Sequence, residues 1–124
     1  MKLDFDQNLE SNMISTYSPA GIVIGGQTIS GPFIVHHTEI FTDEMPREPS
    51  LLGAHHLERV VSLGISIIIV GTGQFQHFLD IDVTRPAFER NVGIEFMATP
   101  AACRSYNVLV SEGRSVAGLF FPLE

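Results

Sequence analysis

The sequence predicts an α/β fold, a mainly parallel sheet with crossover helices, preceded by an antiparallel β-meander. Three observations lead there. Residues 1–41 contain short apolar runs separated by glycine and proline. After position 53 the apolar residues recur at helical instead of strand spacing. From that point helix-like and strand-like segments alternate, the pattern of right-handed crossovers between parallel strands.

In chain order, Met13–Ser18, Ile22–Ile24, Gln27–Ser30 and Phe33–Phe41 read as strands, broken by Pro19-Ala20-Gly21, Gly25-Gly26 and Gly31-Pro32. Gly25-Gly26 between two apolar runs predicts a two-residue hairpin, because primed turns need positive φ. Thr42–Ser50 is polar, carries Pro46 and Pro49, and reads as an exposed connection. Ala54, Leu57, Val60 and Val61 form the apolar stripe of a helix that stops at Gly64. Ile65–Val70 is nearly unbroken in apolar character, as expected of a strand covered on both faces. A short helix follows around Thr84–Arg90, with Pro86 in its first turn and Asn91 in the left-handed position that ends it. Gly93–Met97 is the next strand, predicted to lie parallel to Ile65–Val70 so that Gly71–Gly73 and Thr99 meet at one sheet edge. A helix over Thr99–Glu112 starts with Thr99 as N-cap and Pro100 in the first helical position, and Gly113 ends it. Val116–Phe120 is the last strand.

A length of 124 residues is that of one domain, which buries roughly two thirds of the surface of its extended chain. Hydrophobic residues make up 44% and charged ones 17%, which is globular, and no apolar run approaches the roughly 20 residues that span a bilayer. The start, M-K-L-D-F-D-Q-N-L-E, has no apolar core of a secretory signal and no arginine-rich transit pattern, so a cytoplasmic, bacterial protein is expected. The net charge of −7, from 14 acidic and 7 basic residues, opposes nucleic-acid binding. Cys103 is the one cysteine, which excludes an intrachain disulfide and a thiolate zinc cluster.

The richest stretch is Met97–Arg114, M-A-T-P-A-A-C-R-S-Y-N-V-L-V-S-E-G-R. Ala102, Cys103, Tyr106, Leu109 and Val110 fall at helical spacing and predict a buried stripe, beside which Arg104 and Asn107 stand as recognition or cross-linking residues. The free N–H groups at the helix start, with Arg104 a turn further on, make a receptor for a small anionic ligand next to Gly71-Thr72-Gly73. That glycine loop has Gln76 where a dinucleotide fingerprint has its third glycine, so it reads as a tight turn. Cys103 lies near the helix start, where a thiol is activated, but on the buried stripe, which favours a structural role. Of the histidines, the adjacent pairs His36-His37 and His55-His56 can each offer only one ligand to a common centre, and His77 stands alone, so no metal site is expected. The charges of Phe5–Glu10 and the Asp43-Glu44 pair read as solvated loops.

G-T-G after a hydrophobic strand, followed by M-A-T-P-A-A-C-R-S-Y-N-V-L and S-E-G-R-S-V-A-G-L-F-F-P, resembles the Mth-like domain family. That family was long described as a domain of unknown function. It includes a mitochondrial respiratory complex I assembly factor and an adipogenesis-associated protein. The resemblance runs from the Ile22 hairpin to Pro122 and rests on Gly71, Thr72, Gly73, Thr99, Ala102, Cys103, Arg104, Tyr106, Asn107, Glu112, Gly113 and Arg114. It implies a three-layer α/β fold with a mixed central sheet of about five strands. It also implies a non-enzymatic binding or assembly-type module with a protein partner, no cofactor and no catalytic residues. This chain departs from the pattern at Ala98, where members often carry an acid, and in having no tryptophan.

Two functions of different class remain. One is the binding or assembly module. The other is a small-molecule enzyme or sensor with Cys103 or Tyr106 as reactive group and an exposed Cys103 near His77 as its signature; in either case the ligand- or partner-binding cleft is expected to be lined by Gly71, Thr72, Gly73, Thr99, Ala102, Arg104, Tyr106 and Asn107.

Overall fold

The computed structural model describes residues 13–36 and 39–123; the Phe5–Glu10 charges and His37 lie outside them. Its strands are β1 (Ile14–Ser18), β2 (Gly21–Ile24), β3 (Gln27–Ile29), β4 (Phe33–His36), β5 (Glu39–Phe41), β6 (Ile67–Thr72), β7 (Gly93–Met97) and β8 (Val116–Phe121). Its helices are α1 (Ala54–Val61), α2 (Ile81–Glu89) and α3 (Thr99–Ser111), with a 3-10 turn at Pro49–Leu51.

The strands form two sheets: an antiparallel β1-β2-β3 ribbon, and a mixed sheet in the order β5-β4-β8-β6-β7. Gly25 and Gly26 both have positive φ, 58° and 81°, as the predicted hairpin turn requires. The expected meander is divided. Its first three strands stay together, whereas Phe33–Phe41 becomes two strands that join the main sheet, β4 pairing with β8. The reason is local. All four residues of β4 are buried, and a strand apolar on both faces belongs inside a covered sheet, not in a half-solvated ribbon.

Alternation along the central strands separates two cores. Phe33 and Val35, Ile69, and Val116 and Phe120 face α3 and the ribbon, packing with Ile22, Ile24, Ala102, Cys103 and Tyr106. Ile34, Ile68 and Val70, and Leu119 and Phe121 point the other way, against Leu57, Val60 and Val61 of α1 and Ala87 of α2. The order is therefore α1 and α2, sheet, then α3 with the ribbon. That is the three-layer α/β arrangement, with a five-stranded mixed sheet at its centre.

β6 and β7 pair in parallel as expected, Gly71 opposite Met97. Several boundaries differ from the sequence reading. β6 runs two residues further, so Gly71 and Thr72 extend the strand, pairing with Phe120 and Phe121, and only Gly73 turns, at φ 95°. α2 begins at Ile81, because the Asp80 carbonyl already accepts the Val83 and Thr84 N–H groups; Pro86 therefore sits mid-helix, buried. α3 has Ala98 at its N-cap, its carbonyl accepting the Ala102 N–H at 2.9 Å, because the Thr99 hydroxyl is used for tertiary bonding. Asn91 and Gly113 take the expected positive φ at the ends of α2 and α3.

Candidate functional site

At the carboxyl ends of β6 and β8, the Gly71–Gly73 segment and the start of α3 form one interlocked unit. The Gly73 N–H donates to Thr99 Oγ1 at 2.8 Å, and that hydroxyl donates to the Phe121 carbonyl at 2.6 Å. The Thr99 N–H in turn donates to the Gly73 carbonyl at 2.7 Å. Of the N–H groups at the start of α3, that of Thr99 is thus taken by a carbonyl of the chain itself, and Pro100 has none to offer. Thr72 Oγ1 lies 2.7 Å from the Phe75 carbonyl and 3.0 Å from that of Met97, sharing one hydrogen between them, and accepts the His77 N–H at 3.2 Å. Gln76 Nε2 donates to the Phe96 carbonyl at 2.8 Å. Five groups of the loop after β6, the Gly73 N–H and carbonyl, the Phe75 carbonyl, the Gln76 amide and the His77 N–H, therefore tie it to the sheet and to α3.

The structure brings Gly71, Thr72, Gly73, Thr99 and Ala102 together as buried neighbours: a Cβ added at Gly71 would lie 3.0 Å from Thr99 Oγ1 and 3.1 Å from Ala102 Cβ. Tyr106 is also fully buried, its ring edge-on to Phe120 at 5.6 Å. Its hydroxyl has no hydrogen-bond partner among the described residues, and burial raises its pKa. Asn107 is a cross-link. Its amide accepts the Ile14 N–H and donates to the Ile14 carbonyl, both at 2.8 Å, mimicking a strand partner for the start of β1. Arg104 stands apart from the Gly71–Gly73 loop, on the exposed side of α3, where it donates to the Tyr17 hydroxyl at 3.4 Å.

Cys103 is buried at 2% exposure, and desolvation pushes its thiol up to about 12 against a small opposing effect of Arg104. It is a free thiol, and the backbone N–H of His77 bonds to Thr72. Nucleophilic cysteines need a lowered pKa and access, and Cys103 has neither. Iodoacetamide should therefore alkylate native Cys103 only as fast as the protein opens. The pH dependence follows in sign. An exposed thiol ionises near 9.0, so between 9 and 12 the native state holds more protons than the unfolded one, and stability falls as pH rises through that window. Below 9 the contribution is constant. Cys103→Ala should flatten this decline in urea titrations at pH 8 to 11.

Of the histidines, His36 lies on β4, His55 and His56 are stacked on α1, and His77 is in the loop after β6. His56 Nδ1 accepts the Gly53 N–H at 2.9 Å at the helix start, and its pKa is lowered by partial burial. The Asp43-Glu44 pair is exposed as expected, yet not idle: Arg59 bonds Asp43 at 3.1 Å and approaches Glu44 at 3.9 Å.

One feature escaped sequence reasoning. Phe75 is 67% exposed, Phe78 76%, Ile81 71% and Phe88 78%. Ile81 and Phe88, seven residues apart, lie on one side of α2. Phe78 meets Phe96 edge-on at 6.1 Å and, with Pro49 and His77, lines a hollow of about 170 Å³ beside the exposed Leu51.

Residues 14–121 match the family model described as protein of unknown function (DUF498/DUF598). Among curated proteins, an NADH dehydrogenase [ubiquinone] 1 alpha subcomplex assembly factor 3 from Xenopus tropicalis is 32% identical over 114 residues, covering 91% of this chain and 62% of the relative. The chain thus spans just under two thirds of that relative's length. A solved protein from Bordetella parapertussis is 29% identical, with TM-score 0.83 over 90% of this chain and 95% of that one. An Mth-like domain from Bordetella pertussis, 24% identical, shares the fold at TM-score 0.80 over 92% of this chain and 87% of that one. The chain belongs to the DUF498/DUF598 family and has its Mth-like three-layer fold.

Proposed function

We propose that this chain is a non-catalytic assembly module that docks a protein partner through the loop after β6 and the outer side of α2. The carrying observation is the exposure of Phe75, Phe78, Ile81 and Phe88, four large apolar side chains between positions 75 and 88. Exposed apolar surface of this kind marks interaction sites, and aromatic anchors held in a fixed conformation lose little entropy on binding. Gly71, Thr72, Gly73, Thr99 and Ala102 serve in this reading as the support that fixes the loop, while Tyr106 and Asn107 anchor α3 beneath the ribbon. The likeness to complex I assembly factors supports a partner belonging to a respiratory complex under construction.

A photo-reactive phenylalanine analogue placed at position 75 or 78 in cells tests the reading. One defined adduct from either position, with none from a control at exposed Val108 on α3, is expected. Equal labelling from all three positions, or no adduct from 75 and 78, contradicts it.

A further inference from the structure

On the opposite side of the sheet, α3 meets the edge strand β7 at its carboxyl end, where the Ser105 hydroxyl donates to Met97 Sδ at 3.3 Å. α3 and the ribbon cover β4, β8 and β6, and β7 is the last strand of the sheet. The space left between α3 and β7 is a groove of about 420 Å³, within the range of small-ligand sites. Its apolar lining comes from Ile67 of β6 and from Val108 and Leu109 of α3; Val108 is 54% exposed although it lies on a helix packed against the core. Arg104, Arg114 and Glu95 supply its charge.

Those charges are out of keeping with the rest of the surface. The chain has twice as many acidic as basic residues, 14 against 7, yet two arginines line this groove. Arg59 and Arg85 are ion-paired, whereas Arg104 and Arg114, like Arg47 and Arg90, form no ion pair among the described residues. Arg104 is directed by its bond to the Tyr17 hydroxyl, and Arg114 follows the turn at Gly113 that ends α3.

We propose that the groove between α3 and β7 binds a small amphipathic monocarboxylate, its apolar body on Ile67, Val108 and Leu109 and its carboxylate on Arg114 at the end of α3, with Arg104 adding positive charge along the groove. A guanidinium presents paired donors that match a carboxylate's two oxygens. Two arginines and one glutamate leave a single positive charge in the groove, which a monoanion neutralises and a dianion overshoots. The apolar lining distinguishes this ligand from a free inorganic anion. The inference does not rest on the docking surface, which lies at the loop after β6 and on α2.

Decanoate is a suitable probe, with decanol as its uncharged counterpart. Amide chemical shifts in the full chain should respond to decanoate at Glu95, Ser105, Val108 and Arg114, with saturation at sub-millimolar concentration. Decanol should bind about tenfold more weakly or less, and Arg104→Gln with Arg114→Gln should reduce decanoate affinity by a similar factor or more, since hydrogen bonds to a charged group have that magnitude. Both arginines are exposed enough that the double variant should fold, which the same spectra establish. Decanol binding as well as decanoate, an unchanged affinity in the folded double variant, shifts confined to Phe75–Phe88, or no saturation below millimolar concentration would each overturn the proposal.

Discussion

Gly71→Val should be strongly destabilising. A Cβ at this position would lie 2.9 Å from Phe120 Cδ1, 3.0 Å from Thr99 Oγ1 and 3.1 Å from Ala102 Cβ, and valine adds two methyl groups beyond it. None of these neighbours can retreat freely. Phe120 is fully buried between Phe33 and Tyr106, Thr99 is held by three hydrogen bonds, and Ala102 is on the inner face of α3. β6 cannot move either, because it is hydrogen-bonded on both sides. Overpacking of a dense core costs about 1–3 kcal/mol and sometimes more, and the number of fixed neighbours places Gly71→Val at about 3 kcal/mol or above. Gly93→Ala is the control: its added Cβ would meet Ile67 at 3.6 Å, an ordinary contact, and the change should be within about 0.5–1 kcal/mol. Urea midpoints of the two variants check the contrast.

Thr99→Val should be nearly as damaging although it keeps the side-chain shape. The substitution leaves the Gly73 N–H without its acceptor and the Phe121 carbonyl without its donor, in a site where Thr99 is fully buried. Each stranded group costs about 1–3 kcal/mol, so a total of about 2–4 kcal/mol is expected. Thr99→Ser keeps the hydroxyl, loses one methyl, and should cost about 1 kcal/mol. Hydrogen exchange adds a local readout. In Thr99→Val the amides of residues 73–77 should lose protection before the rest of β6, because the loop's attachment to α3 is gone. Uniform loss of protection would mean that Thr99 supports the whole sheet and not this loop in particular.

Much of the architecture was legible because it is written in apolar periodicity. The unbroken run before Gly71, the helical stripe through Tyr106 and the Gly25-Gly26 turn each allow one solution. Thr99 shows where such reading stops. Threonine before proline at a helix start reads as an N-cap, and only the convergence of Gly73 and Phe121, residues distant in sequence, turns its hydroxyl inward. Asn107 is similar: its place beside the apolar stripe signalled a polar task, but its partner Ile14 is 93 residues away. Arg104 was expected beside the Gly71–Gly73 loop, yet its position on the outer side of α3 directs it to Tyr17 and the groove instead. The exposed apolar patch was hidden for a different reason. Phe75, Phe78 and Phe88 look like core residues in sequence, and exposure of an apolar side chain depends on what the tertiary fold leaves uncovered. Pro86 added to this by masking the start of α2, which carries Ile81.

The most direct test of the partner-docking account is complementation with Phe75→Ser/Phe78→Ser in a host that assembles respiratory complex I. The substitutions are at exposed positions, so the purified variant should melt within about 0.5 kcal/mol of the parent. In cells lacking the parent gene, the account predicts that the parent restores assembled complex on native gels and that the variant, at equal abundance, does not. Full restoration by the variant would contradict it.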